Sequence, residues 1–142
     1  DTGQLGLVER TWEKKAKLTQ KELREVRSIP LRSASLLKSM ASLKPIIPIV
    51  MHHHERYDGR GYPQGLKGEE IPVGARIISV VNAFVAMISK RPYKPQLSVK
   101  DALEEIVKNK GIQFDPRVVD CFLTVMRERH IVDKVMQCVK ND

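Results

Sequence analysis

The chain has 142 residues, 42% of them hydrophobic and 30% charged, with a formal net charge of +8. That length supports a single domain able to bury its own core, and the composition excludes a low-complexity or disordered chain. No apolar run approaches the roughly 18 residues that span a bilayer, no signal-peptide pattern is present, and no aromatic-interleaved basic stripe points to nucleic acid.

The positive balance favours anionic partners. Cys121 and Cys138 form no CxxC and no zinc-like spacing, so they read as reduced thiols in a helical tail. The chain opens on Asp1 without an initiator Met and reads as a piece of a longer protein.

Residues 1–18 hold no clear periodicity; Asp1 to Val8 reads as a helix end running into a loop, and Lys14, Lys15 and Lys17 as a solvated basic cluster. Thr19-Gln20-Lys21-Glu22 is a capping box that starts a helix to about Ile29, where Pro30 ends or kinks it. Leu31 to Leu43 reads as a second helix with Leu36, Leu37 and Met40 on one face, and Ile46 to His54 as a third that ends on histidines.

Between Tyr57 and Val73, four glycines and two prolines imply an ordered irregular loop. Ile77, Val80, Val81, Phe84 and Ile88 recur at helical spacing over Arg76 to Ser89, and Arg91-Pro92-Tyr93-Lys94 breaks that helix. Ser98 caps a helix from Val99 to Lys108 with Ala102, Leu103 and Ile106 inward. Gly111 stops it. Asp115-Pro116 places an N-cap before a Pro at the first helical position, opening a helix to about Met126. Residues 131–139 either extend it or form another. No segment reads as a strand, so the expected fold is all-α.

His52-His53-His54-Glu55-Arg56-Tyr57-Asp58-Gly59-Arg60-Gly61-Tyr62-Pro63 joins a cluster of neutral metal-ligand candidates to a glycine-rich loop. That pairing suggests metal-assisted phosphoester chemistry. With the helical layout, the segment resembles the signature of the HD-GYP family, all-α metal-dependent phosphodiesterases of the HD superfamily that act on cyclic di-GMP. The resemblance continues through Gln64 to Pro72, Ala75-Arg76-Ile77, Arg91-Pro92-Tyr93 and Gln113-Phe114-Asp115-Pro116. It covers residues 52–126 well and residues 1–51 more weakly. It implies an HD-type helical bundle with an irregular GYP loop, residues 127–142 forming a C-terminal helical extension, in a cytoplasmic signalling protein.

The resemblance also implies a ligand set that this chain only partly keeps. Asp1 stands where the family has the Asp of its His-Asp pair, and Gln4 replaces the Lys that follows. Ile29 stands at a ligand His position before Pro30. His53 and His54 match two adjacent His ligands, Asn82 replaces the last Asp ligand, and Val85 replaces a carboxylate after it. Arg91 and Lys94 match positions that contact ligand phosphates.

Two close cations need anionic oxygen ligands to offset their repulsion. Asn82 offers a neutral carbonyl oxygen and Ile29 offers nothing. Asp1, His53 and His54 remain as a weak residual set for iron or manganese at reduced occupancy, and no resident cofactor is expected. The bland readings are histidines hydrogen-bonded at a helix end, His52 at the surface or behind them, and Asn82 as a core amide. Ile29 and Val85 suit a pocket filled with core.

Three functional readings follow. The first is a degenerate, catalytically inactive HD-GYP domain that binds a nucleotide such as cyclic di-GMP or a signalling partner such as a GGDEF-domain cyclase. In it, Asp58, Gly59, Gly61, Tyr62 and Pro63 form the interaction loop, and Arg91 and Lys94 hold phosphates. The second is an active cyclic di-GMP phosphodiesterase. The third is a dimerisation or structural output domain, which a long apolar helix from Asp115 to Val139 would favour. A homodimer is among the expected partners; nucleic acid and membrane are not.

Overall fold

The computed structural model describes residues 19–90 and 95–141, the side chains of 129 and 138–141 excepted. The described residues form six α-helices and no strand: α1 Gln20–Leu37, α2 Ile47–His52, α3 Val73–Ile88, α4 Val99–Lys108, α5 Pro116–Val125 and α6 Arg129–Asn141. Two 3-10 turns, Ala41–Ile46 and Gly68–Glu70, lie in the first half. The chain divides into two compact units, Asp1–Ala75 and Arg76–Asp142. Asp1, Gln4, the Lys14–Lys17 cluster, Arg91 and Lys94 lie outside the described residues.

In the first unit, α1 starts where the capping box places it. The Thr19 hydroxyl accepts from the Glu22 backbone N–H, and the Glu22 carboxylate takes the Thr19 N–H at 2.6 Å. Its other end corrects the expectation. Pro30 neither ends the helix nor divides it, because α1 runs on to Leu37. Proline removes one helical donor and crowds the carbonyl four residues back, at a cost of about 3 kcal/mol. Ile29, Pro30, Ser33 and Ala34 are all buried on one face of α1, which packs against α2. Burial of that face offsets the proline. The second helix expected to run to Leu43, with Leu36, Leu37 and Met40 on one face, is cut short, since the chain turns after Leu37; Leu36 and Met40 are exposed.

α2 is shorter than expected. The 3-10 turn through Pro45 precedes it, Pro48 sits in its first turn, and His53 is its C-cap. The histidines therefore stand at and just beyond a helix end, where the chain enters the glycine-rich loop.

The second unit holds two joined apolar clusters. Val80, Ile106, Phe114 and Val119 form one; Phe84, Ile88, Ala102 and Met126 form the other. Phe84 meets Phe122 edge-on at 5.2 Å between ring centres. In α3 the buried residues are Ala75, Val80, Phe84 and Ile88, whereas Ile77 and Val81 are exposed. The helical period was legible, and its inward face is narrower than the apolar pattern suggests. Val85, expected in the core, is exposed as well.

Local caps set the remaining elements. Ser98 accepts from the Asp101 N–H to open α4. Gly111 takes φ +76° in the turn after it, a conformation L side chains rarely adopt. Asp115 caps α5 through the Arg117 N–H at 2.7 Å, with Pro116 at the first helical position. Asp115 is buried and also accepts from Arg76 at 2.5 Å. Burial pushes its carboxyl up, but the Arg76 bond and the backbone N–H groups of Arg117 and Val118 outweigh this and leave its pKa below 3.8. The chain turns through Arg127 and Glu128, so α5 and α6 are separate helices. The continuous Asp115–Val139 helix that favoured a dimerisation role is not present.

Candidate functional site

The candidate site is built at the C-terminal end of α2 and in the loop after it. His53 is buried, and its Nδ1 lies 2.7 Å from the Val50 carbonyl oxygen. As an N–H donor there, Nδ1 leaves Nε2 as the acceptor nitrogen of the neutral ring. Burial lowers the His53 pKa, and the carbonyl bond offsets only part of that. His54 is half-buried, with its ring centre 4.0 Å from that of His53. Burial, with the neighbouring His53, pushes its pKa down to about 4. Both rings are therefore neutral at pH 7, the form that ligates metals.

Tyr62 covers His54. The two rings stack at 5.0 Å with a 24° interplanar angle, and the Tyr62 N–H donates to the His54 carbonyl at 3.3 Å. Burial raises the Tyr62 pKa. Arg27, exposed on α1, holds its guanidinium carbon over the Tyr62 ring, 5.8 Å from the centroid.

Glu55 pins the loop that carries Tyr62. It is buried, and its Oε1 accepts from the backbone N–H groups of Gln64 at 2.7 Å and Gly65 at 3.1 Å. Gly61 lies directly against the Glu55–Arg56 peptide. A Cβ on Gly61 would come within 3.0 Å of Arg56 N and of Glu55 Cα and carbonyl carbon. Only glycine permits that approach. Asp58 accepts from Arg56 Nη2 at 2.9 Å and from the Arg60 N–H at 3.0 Å, and the Arg56 bond holds its pKa low. Gly59 takes φ +81°, and the Tyr62–Pro63 peptide is cis.

The structure thus brings together His53, His54, Asp58, Gly59, Gly61, Tyr62 and Pro63 in one segment. His53 has the helix-end hydrogen bond of the bland reading. Of the two places expected for His52, the surface is excluded: it is buried, with Nδ1 3.6 Å from Glu55 Oε1. Ile29 is buried at 3% exposure, as a core replacement should be. Asn82 is exposed on α3, which overturns its reading as a core amide.

Glu55 was not singled out from the sequence. Its signal was available: a carboxylate directly before a glycine-rich loop is placed to collect that loop's free backbone donors. Arg27 gave no such signal, because only the fold puts it over Tyr62.

The described donor set does not fit a two-metal centre. Within the first unit His53 and His54 supply neutral nitrogen and Ile29 supplies no donor. Among the described residues no three His, Cys, Asp or Glu side chains are grouped to hold a metal ion. Among them, too, no helix is long and apolar enough to cross a membrane.

Residues 3–118 match the family model described as HD domain. The chain is 38% identical over 125 residues to the cyclic di-GMP phosphodiesterase response regulator RpfG of Xanthomonas campestris, covering 87% of this chain and 33% of that protein. It is 36% identical over 132 residues to a cyclic di-GMP phosphodiesterase of Thermotoga maritima, covering 90% of this chain and 35% of that one. A cyclic di-GMP phosphodiesterase of Vibrio cholerae is also 36% identical over 132 residues, covering 88% of this chain and 27% of the relative. The chain spans about a third of the length of these curated relatives.

Proposed function

Because the chain belongs to the HD domain family, in its HD-GYP branch, we propose that it serves cyclic di-GMP signalling as a binding module that has lost hydrolysis. The observation that carries this reading is buried Ile29. The resemblance puts a metal-ligating imidazole there, and a buried hydrocarbon side chain in its place offers no donor. Asn82 in place of a carboxylate works in the same direction, because a neutral amide offsets none of the repulsion between two cations.

The loop is kept although the ligand set is not. Glu55, Gly61 and Asp58 each hold it in shape, and Tyr62 stays over His54. Binding a cyclic dinucleotide needs shape, stacking and cations rather than a nucleophile. In this reading Tyr62 offers its hydroxyl and ring edge to a base or ribose, and Arg91 and Lys94 take phosphates. Asp58 to Pro63 are also the surface that a GGDEF-domain cyclase would meet, in the cytoplasm where the nucleotide is made.

A second reading, an active phosphodiesterase, is favoured by the neutral adjacent imidazoles of His53 and His54 and by the names of the relatives. One experiment separates the two. Cyclic di-GMP is titrated into the full chain by calorimetry with manganese present, and the nucleotide is then recovered by chromatography. Saturable binding with intact nucleotide recovered is expected. Recovery of the linear dinucleotide or of GMP favours the second reading, and absence of binding overturns the first.

A further inference from the structure

Arg27 is the described cation set directly against the stack formed by Tyr62 and His54. Its guanidinium carbon lies 5.8 Å from the Tyr62 ring centre, and Tyr62 lies 5.0 Å from His54. The guanidinium is exposed on α1. Two partly buried arginines are committed to carboxylates, Arg56 to Asp58 and Arg76 to Asp115. Arg27 has no carboxylate partner among the described residues, and its recorded contact is the ring. A cation–π contact uses the charge of the guanidinium and none of its five N–H donors. The side chain is thus oriented by Tyr62 while its donors remain for an acceptor from outside.

Arg27 stands at the edge of the buried face of α1, three residues before Pro30 and seven before Ala34, and its exposure with the Tyr62 ring contact sets it beside the loop. A planar, permanently charged fork suits a phosphate, whose oxygens it can take in pairs.

We infer that Arg27 is a phosphate-binding arm of this site, held across Tyr62 and contacting a phosphodiester that lies over the Tyr62–His54 stack. The inference rests on the reading of the site as one for a cyclic dinucleotide and adds a contact on α1 to it. The contact supplies binding free energy and needs no metal.

The test is calorimetric titration of the full chain with cyclic di-GMP and, separately, with inorganic phosphate, over a range of salt concentrations. Arg27→Ala, Arg27→Lys and Arg24→Ala are titrated alongside. Arg24 is exposed one turn earlier on α1 and bonds the Gln20 carbonyl of its own helix, so it serves as a control. Arg27→Ala is expected to weaken cyclic di-GMP binding about tenfold, the loss of one charge-assisted contact, and to flatten its salt dependence. Arg27→Lys should keep the salt dependence with part of the affinity, and Arg24→Ala should change neither. All three substitutions sit on an exposed helix surface, and their helical circular dichroism should match that of the unsubstituted chain.

If Arg27→Ala binds as the unsubstituted chain does, with the same salt dependence, the inference is overturned and the dinucleotide reading stands. If phosphate binds and depends on Arg27 while cyclic di-GMP does not bind, the arm stands and the dinucleotide reading falls. If neither ligand binds the unsubstituted chain, both fall.

Discussion

Glu55 accepts the backbone N–H of Gln64 at 2.7 Å across nine residues of chain, and this closes the loop that carries Tyr62. The same oxygen takes Gly65 at 3.1 Å. Glu55→Ala removes one acceptor from two part-buried donors, at a cost of about 1–3 kcal/mol. Glu55→Gln keeps a side-chain oxygen and should lose less than half of that. Urea unfolding of both variants checks the order; equal stability of Glu55→Ala and the unsubstituted chain would remove Glu55 from this role.

Gly61 is bound to its place by sterics alone. Its missing Cβ is what lets the loop lie on the Glu55–Arg56 peptide. Gly61→Ala should force the loop off that peptide and destabilise the protein by about 2 kcal/mol or more. Hydrogen exchange at the Tyr62 amide, which donates to His54, should speed up in the variant. Unchanged exchange would mean that the loop accommodates a methyl group.

Asp115 gives the second unit an acid-sensitive tie. Its folded-state pKa lies below the ordinary 3.8, so its contribution is fully present above that value. The contribution is lost as pH falls through the folded-state pKa, because the unfolded chain takes up the proton first. Asp115→Asn keeps a capping oxygen but leaves Arg76, itself largely buried, without its anion. The variant should be less stable at pH 7 by about 3–5 kcal/mol and should show a weaker loss of stability below pH 4. Thermal melts from pH 7 to pH 3 read both effects, and parallel curves for the two proteins would contradict the assignment.

Much of this was legible in the sequence where it is local. Thr19, Ser98 and Asp115 cap the helices they were expected to cap, because a cap is decided within four residues. The helix end expected at Pro30 is absent because the local cost of proline is outweighed by the burial of Ile29, Ser33 and Ala34, which only the tertiary fold supplies. Ile77 and Val81 kept the right period but took the exposed side, since periodicity marks a stripe and packing decides its width. His53, His54 and the loop stood out by residue type. Glu55 and Arg27 did not, because their roles depend on where the loop closes and what α1 faces.

Ile29 offers a gain-of-function check. Ile29→His should add a nitrogen donor on the face of α1 that is buried in the first unit, with a stability cost of about 1–3 kcal/mol while the ring has no partner. Manganese should then raise the melting temperature of the variant by several degrees, and the unsubstituted chain should respond little. No difference between the two would mean that Ile29 does not stand at a ligand position.

The central claim, binding without hydrolysis, is tested most directly by metal content and turnover on one sample. The protein is purified anaerobically with iron and manganese supplied, its metal is counted, and cyclic di-GMP is assayed on the same preparation. Less than one metal per chain, with cyclic di-GMP left intact, is the predicted result. Near two metals per chain, with steady conversion to linear dinucleotide or GMP, would contradict it.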